Sequence, residues 1–301
     1  MEHLLRYASE VAQARAEGRP IVALESTVIS HGLPYPENVE TALAMEDAIR
    51  QQGATPATIA VLSGQIHVGL SREQIEHLAQ AKNVRKCSRR DFPIALGLGE
   101  DAATTVAGTM IVAHMAGICV FATGGIGGVH RGAPFDQSAD LLELGRTPVA
   151  VVCSGAKSIL DLPLTLEVLE TQGVPVLGYQ TDDLPAFYTR HSGLPIDVRV
   201  DTPKQAAQII RAAQAIGARH GLLIAVPVPE HLAIAAEVAE RAIAQATEEA
   251  HQQGISGKAV TPFVLARVSA LTEGQTKAAN KALLANNAAV AAQIALALTT
   301  S

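Results

Sequence analysis

The chain has 301 residues, of which 48% are hydrophobic and 17% charged, and its formal net charge is -6. That is enough apolar material for one large domain or two ordinary ones. The acidic balance offers no field to steer the chain toward nucleic-acid phosphates, and 3% aromatics with no tryptophan offer no platform for stacking bases, so nucleic acid is excluded as a partner.

The elements follow in order. Leu4, Leu5, Ala8 and Val11 recur at a 3–4 spacing that predicts a helix over 3–17. Pro20–Leu24 reads as a buried strand ending in Glu25-Ser26-Thr27, and a carboxylate at the C-terminal tip of an apolar parallel strand is a usual place for chemistry in α/β folds. After a loop over Ser30–Pro36, a helix runs from Pro36 to Gln52 and closes at Gly53. Strands are predicted at Thr58–Leu62 and Gln65–Gly69, and Ser71 with Gln74 forms a capping box for a helix over 72–81. Arg85, Lys86, Arg89 and Arg90 form a local basic cluster, either a solvated face or an anion contact. A helix over 101–116 carries small residues, Thr104, Thr105 and Gly108, near its start.

The apolar strand Ile118–Ala122 runs into Thr123-Gly124-Gly125-Ile126-Gly127-Gly128-Val129-His130-Arg131-Gly132. Bare N–H groups followed by His130 and Arg131 suit an anion such as phosphate, and a solvated turn is the plainer reading. Asp136 and Asp140 bracket Ser138 ahead of a helix at Leu141–Leu144. They read as caps or, with phosphate nearby, as carboxylates for a hard cation such as Mg²⁺ or Mn²⁺. Strand Pro148–Cys153 leads to Ser154-Gly155-Ala156-Lys157-Ser158. Lys157 is a phosphate contact, an amine nucleophile, or a solvated lysine in the first turn of a helix. No Walker spacing is present. A helix over 162–172, strand Pro175–Tyr179, an irregular segment over 182–193, a helix over 203–216, strand Gly221–Val226, and helices over 231–254, 261–271 and 276–299 complete the chain.

Cys87, Cys119 and Cys153 are too few and too scattered for a disulfide framework or a zinc site. Cys119 and Cys153 lie in apolar strands as buried thiols, which fits a reducing cytoplasm. Residues 1–19 lack the apolar core of a signal peptide, and no charge-free apolar run of about 18 residues predicts a membrane span. Strands alternate with helices without a linker or repeat, so a single domain over 1–301 is expected, with a mostly parallel sheet between helix layers. Glu25, the glycine stretch, Asp136 and Lys157 all stand at or beyond strand ends, which cluster in such sheets.

Several of these segments occur together in a known order: Ala23-Leu24-Glu25-Ser26-Thr27 with Ser30-His31-Gly32, Ser88-Arg89-Arg90-Asp91, the glycine stretch through Ala133, Ser138-Ala139-Asp140-Leu141, Cys153 through Asp161, Pro185-Ala186-Phe187-Tyr188, Thr261-Pro262-Phe263 and Asn286-Asn287-Ala288. Over about residues 20–298 the chain resembles the pseudouridine-5′-phosphate glycosidase family, the indigoidine synthase A-like group. The resemblance implies a three-layer α/β/α sandwich, a homotrimer, a divalent metal (typically Mn²⁺), and reversible cleavage of pseudouridine 5′-phosphate to uracil and ribose 5-phosphate. It assigns Glu25 as proton donor, Lys157 as nucleophile and Asp136 as metal carboxylate. Lys86, Thr105 and the backbone around Val106, Thr123, His130, Ser138, Ala139, Asp140 and Asn280 become substrate contacts. Val226-Pro227-Val228-Pro229 departs from the family's Asn-Pro-Ile-Pro turn.

A C-glycoside's leaving atom is carbon, with no lone pair for an ordinary glycosidase acid to protonate. The residues suit another route, in which the ribose ring opens and an amine adds at C1′. Two alternatives carry different expectations: an enzyme for another phosphorylated C-glycoside, and a non-catalytic sugar-phosphate-binding regulator.

Overall fold

The computed structural model describes residues 4–255 and 260–300. In chain order the first half contains β1 (Leu5–Tyr7), α1 (Ser9–Ala16), β2 (Ile21–Leu24), α2 (Glu37–Gln51), β3 (Thr55–Leu62), β4 (Gln65–Val68), α3 (Arg72–Gln80), β5 (Arg85–Cys87), α4 (Phe92–Leu98), β6 (Ala102–Thr104), α5 (Val106–Met115) and β7 (Val120–Ala122). The second half contains β8 (Val129–His130), β9 (Ala133–Gln137), α6 (Ala139–Leu144), β10 (Ala150–Cys153), β11 (Leu160–Asp161), α7 (Leu162–Thr171), β12 (Val176–Tyr179), β13 (Val198–Val200), α8 (Pro203–Ala215), β14 (Leu222–Ala225), α9 (Ala236–Gln252), α10 (Val260–Leu271) and α11 (Gln275–Thr299).

The main sheet runs β1-β4-β3-β2-β7-β10-β14-β12-β13, with β6 branching from β3 and β5 pairing β6. Pairing is parallel except where β3 meets β4 and β6. The middle strands β2, β7, β10 and β14 are almost wholly apolar and buried, as strands covered on both faces must be. α11 packs against α2, α8, β2, β7 and β10, while α5 packs against β2, β3 and β7 beside α6. These helices therefore cover opposite faces and give the expected three-layer α/β/α sandwich. The expected capping box opens α3, with Ser71 Oγ accepting the Gln74 amide and Gln74 Oε1 accepting the Ser71 amide.

Several expectations are corrected. The predicted helix over 3–17 is a helix only from Ser9: Leu5–Tyr7 is β1, which lies parallel on β4 and buries Leu5, and three residues are too few for the spacing to tell the two apart. His3 lies outside the described residues. The start of the predicted helix over 101–116 is β6, held between β3 and β5. The helix predicted from residue 231 begins at Ala236, after a 3₁₀ turn at Glu230–Leu232. Strands β5, β8, β9, β11 and β13, at most five residues each, are too short for periodicity to reveal. By length and composition alone α11 could cross a bilayer, but half of its most apolar window is buried against the sandwich and it packs as a core helix, so it does not overturn the expectation of no membrane span. The Cys153 thiol is buried and pushed up to about 12, while Cys119 is half-buried rather than buried.

Candidate active site

The site grows from three neighbouring parallel strands. Leu24 of β2 pairs in register with Ala122 of β7, and Ala122 with Val152 of β10. The next residues along each strand are Glu25, Thr123 and Cys153, so positions 98 and then 30 apart in sequence come to lie side by side. Glu25 is 8% exposed, and its two carboxyl oxygens accept the hydroxyls of Thr123 and Thr27. A hydroxyl can donate to a carboxylate or accept from a carboxyl, so this pair serves both protonation states. The next residue is locked underneath: Ser26 Oγ donates to the Ile59 carbonyl at 2.7 Å and accepts the Thr104 amide at 2.8 Å. The chain then turns through a π-helix at Val28–Gly32, a form often found at functional sites.

Burial pushes the Glu25 carboxyl above its ordinary value of 4.5, and the charge of Asp140 pushes the same way. The Lys157 and Lys86 ammoniums and the Thr123 hydrogen bond pull against it without reversing it. The low dielectric around a buried carboxyl disfavours its charged form. The outcome is a carboxyl biased toward keeping its proton, within the electrostatic reach of Lys157.

Lys157 is half-buried in a loop between β10 and β11, not in the first turn of a helix as one reading had it. Its backbone is laced to the glycine stretch. Thr123 N donates to Val152 O, Ser154 N to Gly124 O (2.8 Å), Ile126 N to Gly155 O and Lys157 N to Ile126 O (both 3.0 Å). The parallel pairing of β7 with β10 thus continues beyond both strands. Gly155 has φ +78°, and a Cβ there would lie 2.2 Å from the Pro185 carbonyl, which is why this turn needs glycine. The segment through Pro185 and Phe187 covers the two loops from above. Phe187 N donates to Ser154 O at 3.0 Å, and Phe187 itself takes a left-handed φ of +62°.

Asp140, 5% exposed, ties a third element to these loops. Its Oδ1 accepts the Ala107 amide at 2.9 Å in the first turn of α5, and its Oδ2 accepts the Gly127 amide at 2.8 Å. Ser138 caps α6 through the Asp140 amide, with Ala139 between them exposed. Thr105 caps α5 through the Gly108 amide and meets the Ser88 hydroxyl at 2.8 Å. Val106, 2% exposed, is in the core. A Cβ at Gly127 would stand 2.3 Å from Ser138 Oγ and 2.9 Å from Asp140 Oδ2. Gly127→Ala is therefore expected to displace Asp140 and lower stability by about 1–3 kcal/mol, checked by urea unfolding.

Glu25, Thr123, Lys157, Asp140 and Lys86 come together by hydrogen bond or by charge. His130 is half-buried on β8, opposite Leu160 of β11, and has no hydrogen bond to Glu25 or Asp140. Asp136 stands exposed on β9, with no side-chain bond to a described residue, and no group of three or more His, Cys, Asp or Glu among the described residues forms a metal cage. Asn280 sits half-buried on α11 between the ion-paired Lys277 and Lys281. The side chains of Thr261 and Pro262 lie outside the described residues. Two residues went unassigned in the sequence. Thr27 is two places beyond Glu25, past the end of β2 and with helical backbone angles at the start of the π-helix, so neither strand nor helix period signals the contact. Asn287 is a polar residue on an otherwise apolar helix face, and its fully buried amide donates to Thr123 O at 2.9 Å.

The protein family described as indigoidine synthase A-like matches residues 10–297. A Herpetosiphon aurantiacus protein named pseudouridine-5′-phosphate glycosidase is 59% identical, covering 97% of both chains. One of the same name from Caldanaerobacter subterraneus is 54% identical, covering 99% of this chain and 98% of its own. Among solved structures, the prealnumycin C-glycosynthase AlnA, in complex with ribulose 5-phosphate, is 42% identical with a TM-score of 0.91, covering 99% of this chain and 98% of its own. An indigoidine synthase A-like protein from Thermotoga maritima is 35% identical with a TM-score of 0.90, covering 98% and 96%.

Proposed function

The chain belongs to the indigoidine synthase A-like family, and we propose that it cleaves the C–C glycosidic bond of pseudouridine 5′-phosphate, reversibly, to uracil and ribose 5-phosphate. One observation carries the chemistry: a buried carboxyl biased toward its protonated form, held by two hydroxyls, within the field of a lysine in the loop that follows the strand next but one. Glu25 gives its proton to the ribose ring oxygen, and the C1′–O bond breaks with its electron pair on that oxygen. The uracil π-system assists the opening. The Lys157 amine then adds at C1′. Uracil C5 takes up a proton, the C1′–C5 pair stays with the base, and the nitrogen lone pair closes an imine at C1′. Water hydrolyses the imine and frees ribose 5-phosphate and the amine.

The phosphate is read by Lys86 and by the backbone N–H of Val106 at the start of α5, the Ala107 and Gly108 amides being engaged by Asp140 and Thr105. The ribose meets Thr123, Ser138 and Asp140, and the base lies toward Asn280. A hard cation such as Mn²⁺ that keeps most of its waters needs one protein carboxylate plus substrate oxygens, and exposed Asp136 fits that modest demand. When bound, the ion would neutralise phosphate charge. Assembly as a homotrimer is proposed from the family resemblance, and Phe135, 99% exposed beside Asp136, is open to such a contact. A cytoplasmic place fits the free thiols.

Incubation with pseudouridine 5′-phosphate and Mn²⁺ is expected to release uracil and ribose 5-phosphate in equal amounts, followed by chromatography. Absence of both products overturns the reading. The likeness to a C-glycosynthase favours one second reading, another phosphorylated C-glycoside as substrate. A panel of such compounds assayed in parallel separates the two.

A further inference from the structure

We propose that Asn287 is a positioning residue that sets the spacing between the arm carrying Glu25's partner and the arm carrying Lys157. The proposal rests on the glycosidase reading above. Asn287 is on α11, far from both arms in sequence, and is 0% exposed. Its Nδ2 donates to Thr123 O at 2.9 Å, reaches Gly124 O at 3.5 Å, and lies 3.1 Å from Ser154 Oγ, which in turn stands 3.4 Å from Oδ1. Thr123 is the residue whose hydroxyl holds Glu25, and Ser154 opens the loop that presents Lys157. One amide group therefore bridges the first residue beyond β7 and the loop beyond β10.

The chemistry of the contacts fixes which end of the amide faces which partner. Two carbonyls demand a donor, so the NH₂ points at the glycine stretch. Leucine at this position supplies similar bulk and no donor, leaving buried carbonyls without a partner. Aspartate keeps the shape but can donate only while protonated. The distance between proton donor and nucleophile is a quantity on which rate depends steeply, with about 100-fold lost for a misplacement of about 1 Å. Asn280, seven residues earlier, shares this face of the helix about 10 Å away along the axis. The two asparagines thus divide the work: Asn280 toward the ligand, Asn287 toward the backbone that frames it.

The test compares Asn287→Leu, Asn287→Asp and Ile294→Ala, the last a buried apolar position two turns further along α11 that also lowers stability. Asn287→Leu is expected to lower kcat about 100-fold with KM changed less than about threefold. Backbone hydrogen exchange at Ile126, Ser154 and Lys157 should rise in that variant and stay near wild type in Ile294→Ala. Asn287→Asp should lose activity relative to wild type as pH rises, since ionisation removes its donor. Equal kcat in Asn287→Leu and Ile294→Ala, or unchanged exchange at the three amides, overturns the proposal. If the wild-type enzyme releases no uracil, the glycosidase reading fails, and the exchange comparison still decides the role of Asn287.

Discussion

Lys157→Ala is expected to stop uracil release, lowering kcat by about 10⁴-fold or more, because removing a nucleophile removes the covalent route and not only a contact. Treating wild-type enzyme with borohydride in the presence of ribose 5-phosphate should fix the sugar phosphate to the chain by reducing the imine. Mass spectrometry would place the added mass on the peptide containing Lys157, and the alanine variant should gain none. Ribose 5-phosphate affinity, measured by calorimetry, should change far less than turnover, since the proposed phosphate contacts lie on β5 and at the start of α5. Turnover near the wild-type rate in the alanine variant would rule the imine out.

Glu25→Gln is the second large effect, with an expected fall in kcat of about 10²–10⁴-fold. Glutamine keeps the shape and the two threonine partners and has no proton to give. Its stability should move in the other direction. Burial raises the folded-state carboxyl above the 4.5 of an unfolded chain. Between those two values the native protein holds a proton that the unfolded chain has released. The stability contributed by neutral Glu25 is thus complete below about 4.5 and declines as pH rises toward the folded value. Glutamine does not titrate. The variant should therefore match wild type in acid and become the more stable of the two as pH rises toward neutrality, by about 1 kcal/mol, read from paired thermal melts across the range. A difference that stays flat with pH would mean that folding leaves the Glu25 carboxyl unshifted.

The strand-end residues were legible because chemistry and pattern coincide there. An apolar run of four or five residues stopping at Glu25, Thr123 or Ser154 announces both a buried parallel strand and its exit toward a cleft. What escaped was short or distant. β1 pairs over three residues, and two leucines at its start serve a helix as well as a strand. β8 and β9 form a bulged hairpin inside a stretch whose glycines point to a loop. Asp140 looked like a cap, and only the fold brings the Ala107 and Gly127 amides to its two oxygens. Asn287 carried a visible signal, an amide among alanines, but its partners lie more than 130 residues earlier and spacing alone could not find them. Asp136 and Asp140 look alike in the sequence, as caps or as carboxylates for a cation, yet Asp140 is buried with both oxygens bonded and Asp136 is open to solvent.

The register that aligns Glu25, Thr123 and the Lys157 loop has a kinetic side. All three meet only through pairings between strands remote in sequence, closed over by a helix from the far end of the chain. Contacts of such long range form late, after the entropy of closing large loops has been met. A chain still acquiring its sheet would already show helical signal and a collapsed core while having no acid beside its amine. Catalytic competence in this fold is therefore among the last properties to arrive during refolding, and among the first to vanish when β2, β7 or β10 loosens.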